Sequence, residues 1–248
     1  LLVHDGGIDG TVVFTHGALR EVRVETHADG STLVYAEAGV ASPKVARFAC
    51  THQLRGAEFL AGIPGTLGGA LAMNAGCYGS ETWEVVDSVV TLSRRGVVRV
   101  RTPDEYDIGY RHVALHATGA DGPADEEFFV AARLRLRAGD GEEGRRLIKE
   151  LLHKRIASQP LDQPNAGSVF RNPPGDFAAR LIEACGLKGY TVGGAQVSSK
   201  HANFIVNLGD ASAADIEGLI GHVQQTVYAC CGVRLEREVR IVGRERGG

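Results

Sequence analysis

The sequence predicts an α+β protein of two regions, on three observations. Up to about Gly141, short β-branched runs alternate with Gly and Asp turns. Beyond it the apolar residues take up helical spacing, and the last residues return to strict alternation. A boundary is therefore expected near residue 142, with a first domain over residues 1–142 and a smaller α+β domain over residues 143–248.

The elements follow in order. "LLVHDGG" opens on a strand-like run, and "IDGTVVF", "REVRVET" and "STLVYAEAG" read as further strands between turns. "SPKVARFACTHQL" reads as a helix with Ser42 as its cap and Pro43 in its first turn. "VVTLS" and "VVRVR", joined by Arg94, Arg95 and Gly96, form a hairpin, and "FFVAARLRLRAG" is another strand. In "EEGRRLIKELLHKRIAS", Leu147, Ile148, Leu151 and Leu152 make the apolar stripe of an amphipathic helix. "DFAARLIEACG" is a second helix, stopped by Gly186. A third, "SAADIEGLIGHVQQTVYACCG", starts at a capping box of Ser212 and Asp215 and ends at Gly232. In the final strand, "VRLEREVRIVG", Val233, Leu235, Val239 and Ile241 share the buried face, with Arg234, Glu236, Glu238 and Arg240 on the other.

Composition excludes several function classes. A chain of 248 residues, 44% hydrophobic, buries a sizeable core, and a net charge of −3 with both signs interspersed provides no basic face for nucleic acid. No apolar run approaches bilayer-spanning length, and the amino terminus does not read as a signal peptide. Five cysteines without CxxC or Cys/His metal spacing read as buried thiols of a reducing cytoplasm, with no metal site.

The stretch "GIPGTLGGALAMNAGCYG", residues 62–79, is glycine-rich and holds no formal charge. Bare backbone from Pro64 to Ala70 can present a row of amide donors to a phosphate or pyrophosphate. Tight turns and close packing use glycine equally well, and the stretch matches neither a Walker A loop nor GxGxxG. Asn74 and Tyr78 add polar side chains beside the bare backbone, which suits a flat polar ligand.

Three long motifs carry a resemblance. "EFLAGIPGTLGGALAMNAGCYGSE" resembles the flavin-binding signature of the UDP-N-acetylenolpyruvoylglucosamine reductases, the MurB family of cell-wall enzymes. "NAGSVFRNPPGDFAARLIEACGLKGYTVGGAQVSSKHANFIVN" resembles that family's substrate-domain signature, and "LEREVRIVG" its carboxy-terminal one. The resemblance implies an FAD-binding domain of the vanillyl-alcohol-oxidase (PCMH) type followed by the substrate-binding domain. It implies flavin contacts at Ile63, Pro64, Gly65, Gly68, Gly69, Asn74, Ala75, Gly76, Tyr78 and Gly79. In the family a GGGSN turn precedes a strand like "LLVHDGGIDGTVV", so the flavin domain is expected to be incomplete at its amino terminus.

The same resemblance implies the chemistry. Such an enzyme is a cytoplasmic, monomeric reductase of peptidoglycan precursor synthesis that uses FAD and NADPH. NADPH and UDP-N-acetylglucosamine enolpyruvate would bind in turn at one shared site, with neither nucleic acid nor membrane as partner. Ser168 matches the family's proton donor, Glu238 its essential glutamate and Arg111 an arginine that stabilises the developing enolate. Glu236 shares the face of Glu238, and only the register of "EVRIVG" separates them. Val113 departs from the serine common two residues after that arginine. Tyr110, Arg155, Asn172, Lys200 and His201 are implied as substrate-binding, Arg155 and Lys200 toward the diphosphate. The short spacing from Arg111 to Ser168 resembles the form of the family without the extra tyrosine-bearing loop. A same-fold flavin oxidoreductase with another substrate and a flavin-free nucleotide-sugar-binding fragment are the alternatives.

Overall fold

The computed structural model describes residues 1–26, 31–116 and 126–245. They form two compact units: Val13–Lys154, and a split unit made of Leu1–Val12 and Arg155–Gly248. The expected boundary near residue 142 falls at the start of the long helix Gly141–Ser158, whereas the first unit runs on to Lys154 within that helix. The first residues belong with the carboxy-terminal ones because strand β1 (Leu2–Val3) pairs in parallel with residues 241–242.

In the unit Val13–Lys154, strands β2 (Val22–Thr26) and β3 (Thr32–Glu37) lead into helix α1 (Ser42–Thr51) and the short strand β4 (Leu54–Arg55). The glycine-rich stretch then supplies helix α2 (Leu67–Ala72) and a miniature hairpin, β5 (Gly76–Cys77) and β6 (Ser80–Glu81). Next come β7 (Val86–Ser93), β8 (Val98–Arg101), a second small hairpin of β9 (Tyr106–Gly109) and β10 (His112–Leu115), and β11 (Glu127–Arg135). β12 (Arg137–Ala138) pairs with β4, and helix α3 runs over Gly141–Ser158. The main sheet has the order β2-β3-β11-β7-β8, antiparallel throughout. Val34, Val89, Ala132 and Leu134 of that sheet pack with Val45 of α1, Leu67 and Leu71 of α2 and Ile148 of α3 in one core.

Two expectations fail here. "TVVF" is not a strand: Val12, Val13 and Phe14 are 67%, 78% and 76% exposed, and no described strand pairs with them. Ser42 is the first residue of α1 rather than its cap, a role Ala41 takes without a side-chain bond. The Ser42 N–H donates to the carbonyl of Gly65 (3.0 Å), which ties the start of α1 to the glycine-rich stretch.

Glu127, at the start of β11, sits in a nest of donors. Its carboxylate accepts from Arg101 (2.7 Å), Arg99 (3.0 Å) and the Thr91 hydroxyl (2.6 Å). Hydrogen bonding from Arg101 above all holds the Glu127 carboxyl at about 2, below its ordinary 4.5. A depressed carboxyl stabilises the fold fully above the unfolded value and loses that contribution as pH falls from there through about 2. Thermal midpoints recorded from neutral pH into that window should therefore fall steeply, and Glu127→Gln should flatten the fall while lowering the midpoint at neutral pH.

The split unit continues with β13 (Asn165–Ser168), α4 (Ala178–Ala184), β14 (Thr191–Val192), β15 (Ala195–Val197), β16 (Phe204–Asn207), α5 (Ala213–Cys231) and β17 (Ile241–Val242). A four-stranded sheet of order β13-β16-β15-β14 packs under α4 and α5 around Ile182, Val197, Leu219 and Ile220. The capping box at Ser212 forms as expected, with Asp215 N–H donating to Ser212 Oγ (3.0 Å) and Gly232 closing the helix at φ 70°. Asp5 reinforces it from far away in sequence, accepting from the N–H groups of Ala213 (2.9 Å) and Ala214 (3.1 Å).

The expected final strand forms only in part. Residues 233–240 keep the alternation only in part: Leu235 and Val239 are buried and Arg234, Glu236 and Arg240 exposed, but Arg237 is also exposed and Val233 and Glu238 are half-buried. Pairing is confined to a bridge from Arg237 to Phe170 and to β17. Exposure also corrects the cysteines: Cys50 is buried, Cys77 and Cys185 are half-buried, and Cys230 and Cys231 are exposed because the last turn of α5 overruns the core.

Candidate active site

The glycine-rich stretch divides its amides between structure and solvent. Leu67 N–H donates to Val40 (2.9 Å) and Gly68 N–H to Ala38 (2.9 Å), so these two amides of the stretch are used to dock α2 on the turn that follows β3. A Cβ on Gly68 would lie 2.9 Å from that of Ala38, so Gly68 serves close packing. Among the described residues, no hydrogen bond engages the N–H of Gly65, Thr66 or Gly69. Gly65 and Gly69 are exposed, and a Cβ on either would meet nothing within 4 Å. That uncharged, open row of three amides fits a pyrophosphate, in a narrower cradle than the whole stretch from Pro64 to Ala70.

Asn74, expected at the flavin, turns its side chain into the protein. Its side chain, 2% exposed, donates to Glu81 (2.7 Å) and the Gly109 carbonyl (3.1 Å) and accepts from Trp83 N–H (3.1 Å). Both of its N–H donors and its carbonyl oxygen find partners in the protein, which makes it a clamp between the β5–β6 hairpin and the β9–β10 hairpin. Tyr78 is likewise committed, donating its hydroxyl to the Leu151 carbonyl of α3 (2.6 Å). Tyr78 and Gly79, at φ 58° and 86°, form the tight turn of the β5–β6 hairpin. Ile63 is buried, Ala75 and Gly76 are half-buried, and Pro64 is exposed beside Gly65.

Asn74→Ala should cost about 2–4 kcal/mol of stability, since Trp83 N–H and Gly109 lose their partner in a buried setting. Urea unfolding monitored at Trp83 checks the figure.

Arg111 occupies the two-residue turn between β9 and β10, at φ 55°. Its guanidinium donates to the carbonyls of Asn74 (3.3 Å) and Gly76 (3.3 Å) and stands 5.0 Å from the Tyr110 ring centroid. The structure thus brings together Asn74, Gly76, Tyr110 and Arg111, far apart in sequence. Val113, where the sequence departs from the family, packs half-buried against the core from β10.

The split unit builds a second group. Ser168 ends β13 after a bulge, with Gly167 at φ 82° and its N–H bonded to Asn165 Oδ1 (2.9 Å). Among the described residues, no hydrogen bond engages the half-buried Ser168 hydroxyl. The next carbonyl, that of Val169, accepts from Glu238 N–H (2.8 Å), which fixes the backbone of Glu238 one residue from Ser168. Glu238 is half-buried and Glu236 exposed, so burial separates the two carboxylates in the order that register did.

Asn203 was not singled out in the sequence, yet it holds this junction. Buried at 4%, it accepts from Phe170 N–H (3.0 Å), donates to the Phe170 carbonyl (2.8 Å), and takes Val169 N–H on its own carbonyl (2.9 Å). A polar residue between Ala202 and Phe204 in "HANF" was the available signal. Glu81, the partner of Asn74, was missed for want of any local pattern.

The remaining expected substrate residues are distributed unevenly. Lys200 donates its ammonium to the Ile156 carbonyl (2.6 Å), beside Arg155 at the end of α3, so these two cations share one corner of the unit. Arg155 uses its Nε on Gln159 (2.8 Å). Asn172 accepts from Ala178 N–H (3.1 Å) and so caps α4. His201 accepts from Asn203 N–H on Nδ1 (3.3 Å), and burial pushes its imidazole below the ordinary 6.5. Among the described residues no group of three His, Cys, Asp or Glu side chains is placed to hold a metal.

Comparison with known proteins decides the family. A family model described as "UDP-N-acetylenolpyruvoylglucosamine reductase, C-terminal domain" matches residues 159–242, and one described as "FAD binding domain" matches residues 2–101. The UDP-N-acetylenolpyruvoylglucosamine reductase of Thiobacillus denitrificans is 59% identical over 252 residues, covering 98% of this chain and 76% of the relative. That of Methylococcus capsulatus is 61% identical over 243 residues, with the same coverage of 98% and 76%. The chain belongs to the UDP-N-acetylenolpyruvoylglucosamine reductase family. The crystal structure of the MurB reductase from Thermus caldophilus matches at a TM-score of 0.72 and 36% identity, covering 84% of this chain and 71% of that one. A flavin domain followed by the family's carboxy-terminal domain is thereby the fold, as the motifs implied.

Proposed function

We propose that this chain is the NADPH-dependent flavoenzyme that reduces UDP-N-acetylglucosamine enolpyruvate to UDP-N-acetylmuramate in peptidoglycan precursor synthesis. The observation that carries the assignment is the backbone bond from Glu238 N–H to Val169, which brings the main chain of Glu238 to the residue that follows Ser168. An isolated serine or glutamate would carry no such meaning. Together they suit protonation at carbon, and they disfavour a same-fold enzyme that oxidises an alcohol.

FAD, when bound and reduced by NADPH, supplies a hydride to the substrate double bond. The amides of Gly65, Thr66 and Gly69 would hold its pyrophosphate. The carbon next to the one that receives hydride gains negative charge shared with its carboxylate. Arg111, always cationic and planar, would stabilise that charge. The Ser168 hydroxyl would deliver the proton to carbon, a step that a weak acid can make because the acceptor is a strongly basic carbanion. Glu238 would orient and polarise the carboxyl end of the substrate. Arg155 and Lys200 would meet the diphosphate. NADPH and the enolpyruvyl substrate would use one site in turn, by a monomer in the cytoplasm; among the described residues no helix is long and apolar enough to cross a membrane.

The test is spectroscopic. The purified chain is expected to turn yellow with FAD, to bleach with NADPH and to recover its colour on addition of the enolpyruvyl substrate. Failure to take up FAD, with tight binding of the nucleotide sugar, would leave the flavin-free binding protein as the correct reading.

A further inference from the structure

The cysteines at the ends of α4 and α5 take no part in the chemistry above. Cys185 terminates α4, and Cys230 and Cys231 occupy the last turn of α5 before Gly232. The Sγ atoms of Cys185 and Cys231 are 3.7 Å apart, in contact. Cys231 is exposed and Cys185 half-buried, so an oxidant in solution reaches one member of the pair directly. Cys230 and Cys231, as helix neighbours, diverge by about 100° around the axis and do not face each other.

We propose that Cys185 and Cys231 form a thiol modification site, oxidised by hydrogen peroxide to an intramolecular disulfide in the folded protein. The Cys231 sulfur attacks one peroxide oxygen and breaks the O–O bond, giving a sulfenic acid and, with the thiol proton, one water. The Cys185 sulfur then displaces the hydroxyl from Cys231, forming the S–S bond, and its proton leaves with that hydroxyl as a second water. Two thiols are oxidised by two electrons and one peroxide is reduced to two waters. Closing from the 3.7 Å contact to a bond of about 2 Å requires less than about 2 Å of movement, shared between two helix ends.

The order of attack follows from the environment. Burial, then hydrogen bonding to Cys231 and Cys230, pushes the Cys185 thiol up to about 12, so it is the poorer first nucleophile and acts as the resolving partner. Arg180, on α4, lies within electrostatic reach of Cys231. Cys50, buried and pushed up by that burial, should stay a thiol under the same treatment.

Peptide mapping of the full-length, FAD-loaded protein under non-reducing conditions, before and after hydrogen peroxide, tests the proposal. The expected result is a crosslink between the Cys185 peptide and the Cys230–Cys231 peptide that dithiothreitol removes. Cys230→Ser should keep the crosslink and Cys231→Ser abolish it. A wild-type protein in which Cys185 stays alkylatable while Cys231 proceeds to sulfinic acid would overturn the proposal. So would a crosslink that survives Cys231→Ser and is lost in Cys230→Ser. The wild-type map alone decides between crosslink and none, whatever the folding of the variants.

Discussion

Replacing Ser168 by alanine is expected to leave bleaching of the flavin by NADPH unchanged and to slow its recovery with the enolpyruvyl substrate by ~10²–10⁴-fold, the usual worth of general acid catalysis. The first half-reaction transfers hydride from NADPH and needs no proton at carbon. The second ends only when carbon is protonated, the step assigned to the Ser168 hydroxyl. Rapid mixing resolves the two halves separately. Equal slowing of both would mean that the variant disturbs a shared binding step and that the proton comes from another group.

Asn203→Ala is expected to produce the second large effect, in stability and turnover together. Phe170 N–H and C=O both lose a buried partner, which costs about 2–5 kcal/mol. The same bonds fix Phe170, whose neighbour Val169 follows Ser168 and accepts from Glu238 N–H, so a shift on the order of 1 Å at Ser168 should lower kcat by about 10²-fold. Chemical denaturation gives the first number and steady-state kinetics at saturating substrate the second. Asn203→Asp keeps the shape and the acceptor but removes the donor to the Phe170 carbonyl, and should fall between the alanine variant and wild type. An alanine variant with full stability and full turnover would show that the junction is held elsewhere.

The sequence made the long elements legible because their signals are local. Helical spacing places α3 and α5, and the Ser212–Asp215 box and Gly232 set the ends of α5 to the residue. Ser42 looked like an equally good cap, but Pro43 sits equally well one residue into the helix, and Ser42 N–H is needed by Gly65. Alternation in the last segment separated buried Leu235 and Val239 from exposed Arg234, Glu236 and Arg240, but it broke at Arg237, which is exposed, and at Glu238, which is half-buried. It could not reveal that only a bridge at Arg237 and two residues of β17 find partners.

The site was legible by resemblance more than by geometry. Motif register chose Glu238 over Glu236, and burial, half-buried Glu238 against exposed Glu236, supplies a physical reason for preferring it. Asn74 and Tyr78 find side-chain partners in Glu81, Gly109 and Leu151, which come from other elements and leave no local trace. Asn203 was overlooked for the same reason. Its neighbours in sequence belong to the core, and its partners lie 33 residues away.

Reoxidation tests the central claim most directly. The wild-type chain is loaded with FAD, bleached with one equivalent of NADPH without oxygen, and mixed with UDP-N-acetylglucosamine enolpyruvate while the flavin absorbance is followed. Recovery of the colour at least as fast as steady-state turnover, with UDP-N-acetylmuramate formed in equal amount, is the predicted result. A flavin that stays bleached with the substrate bound would contradict the assignment.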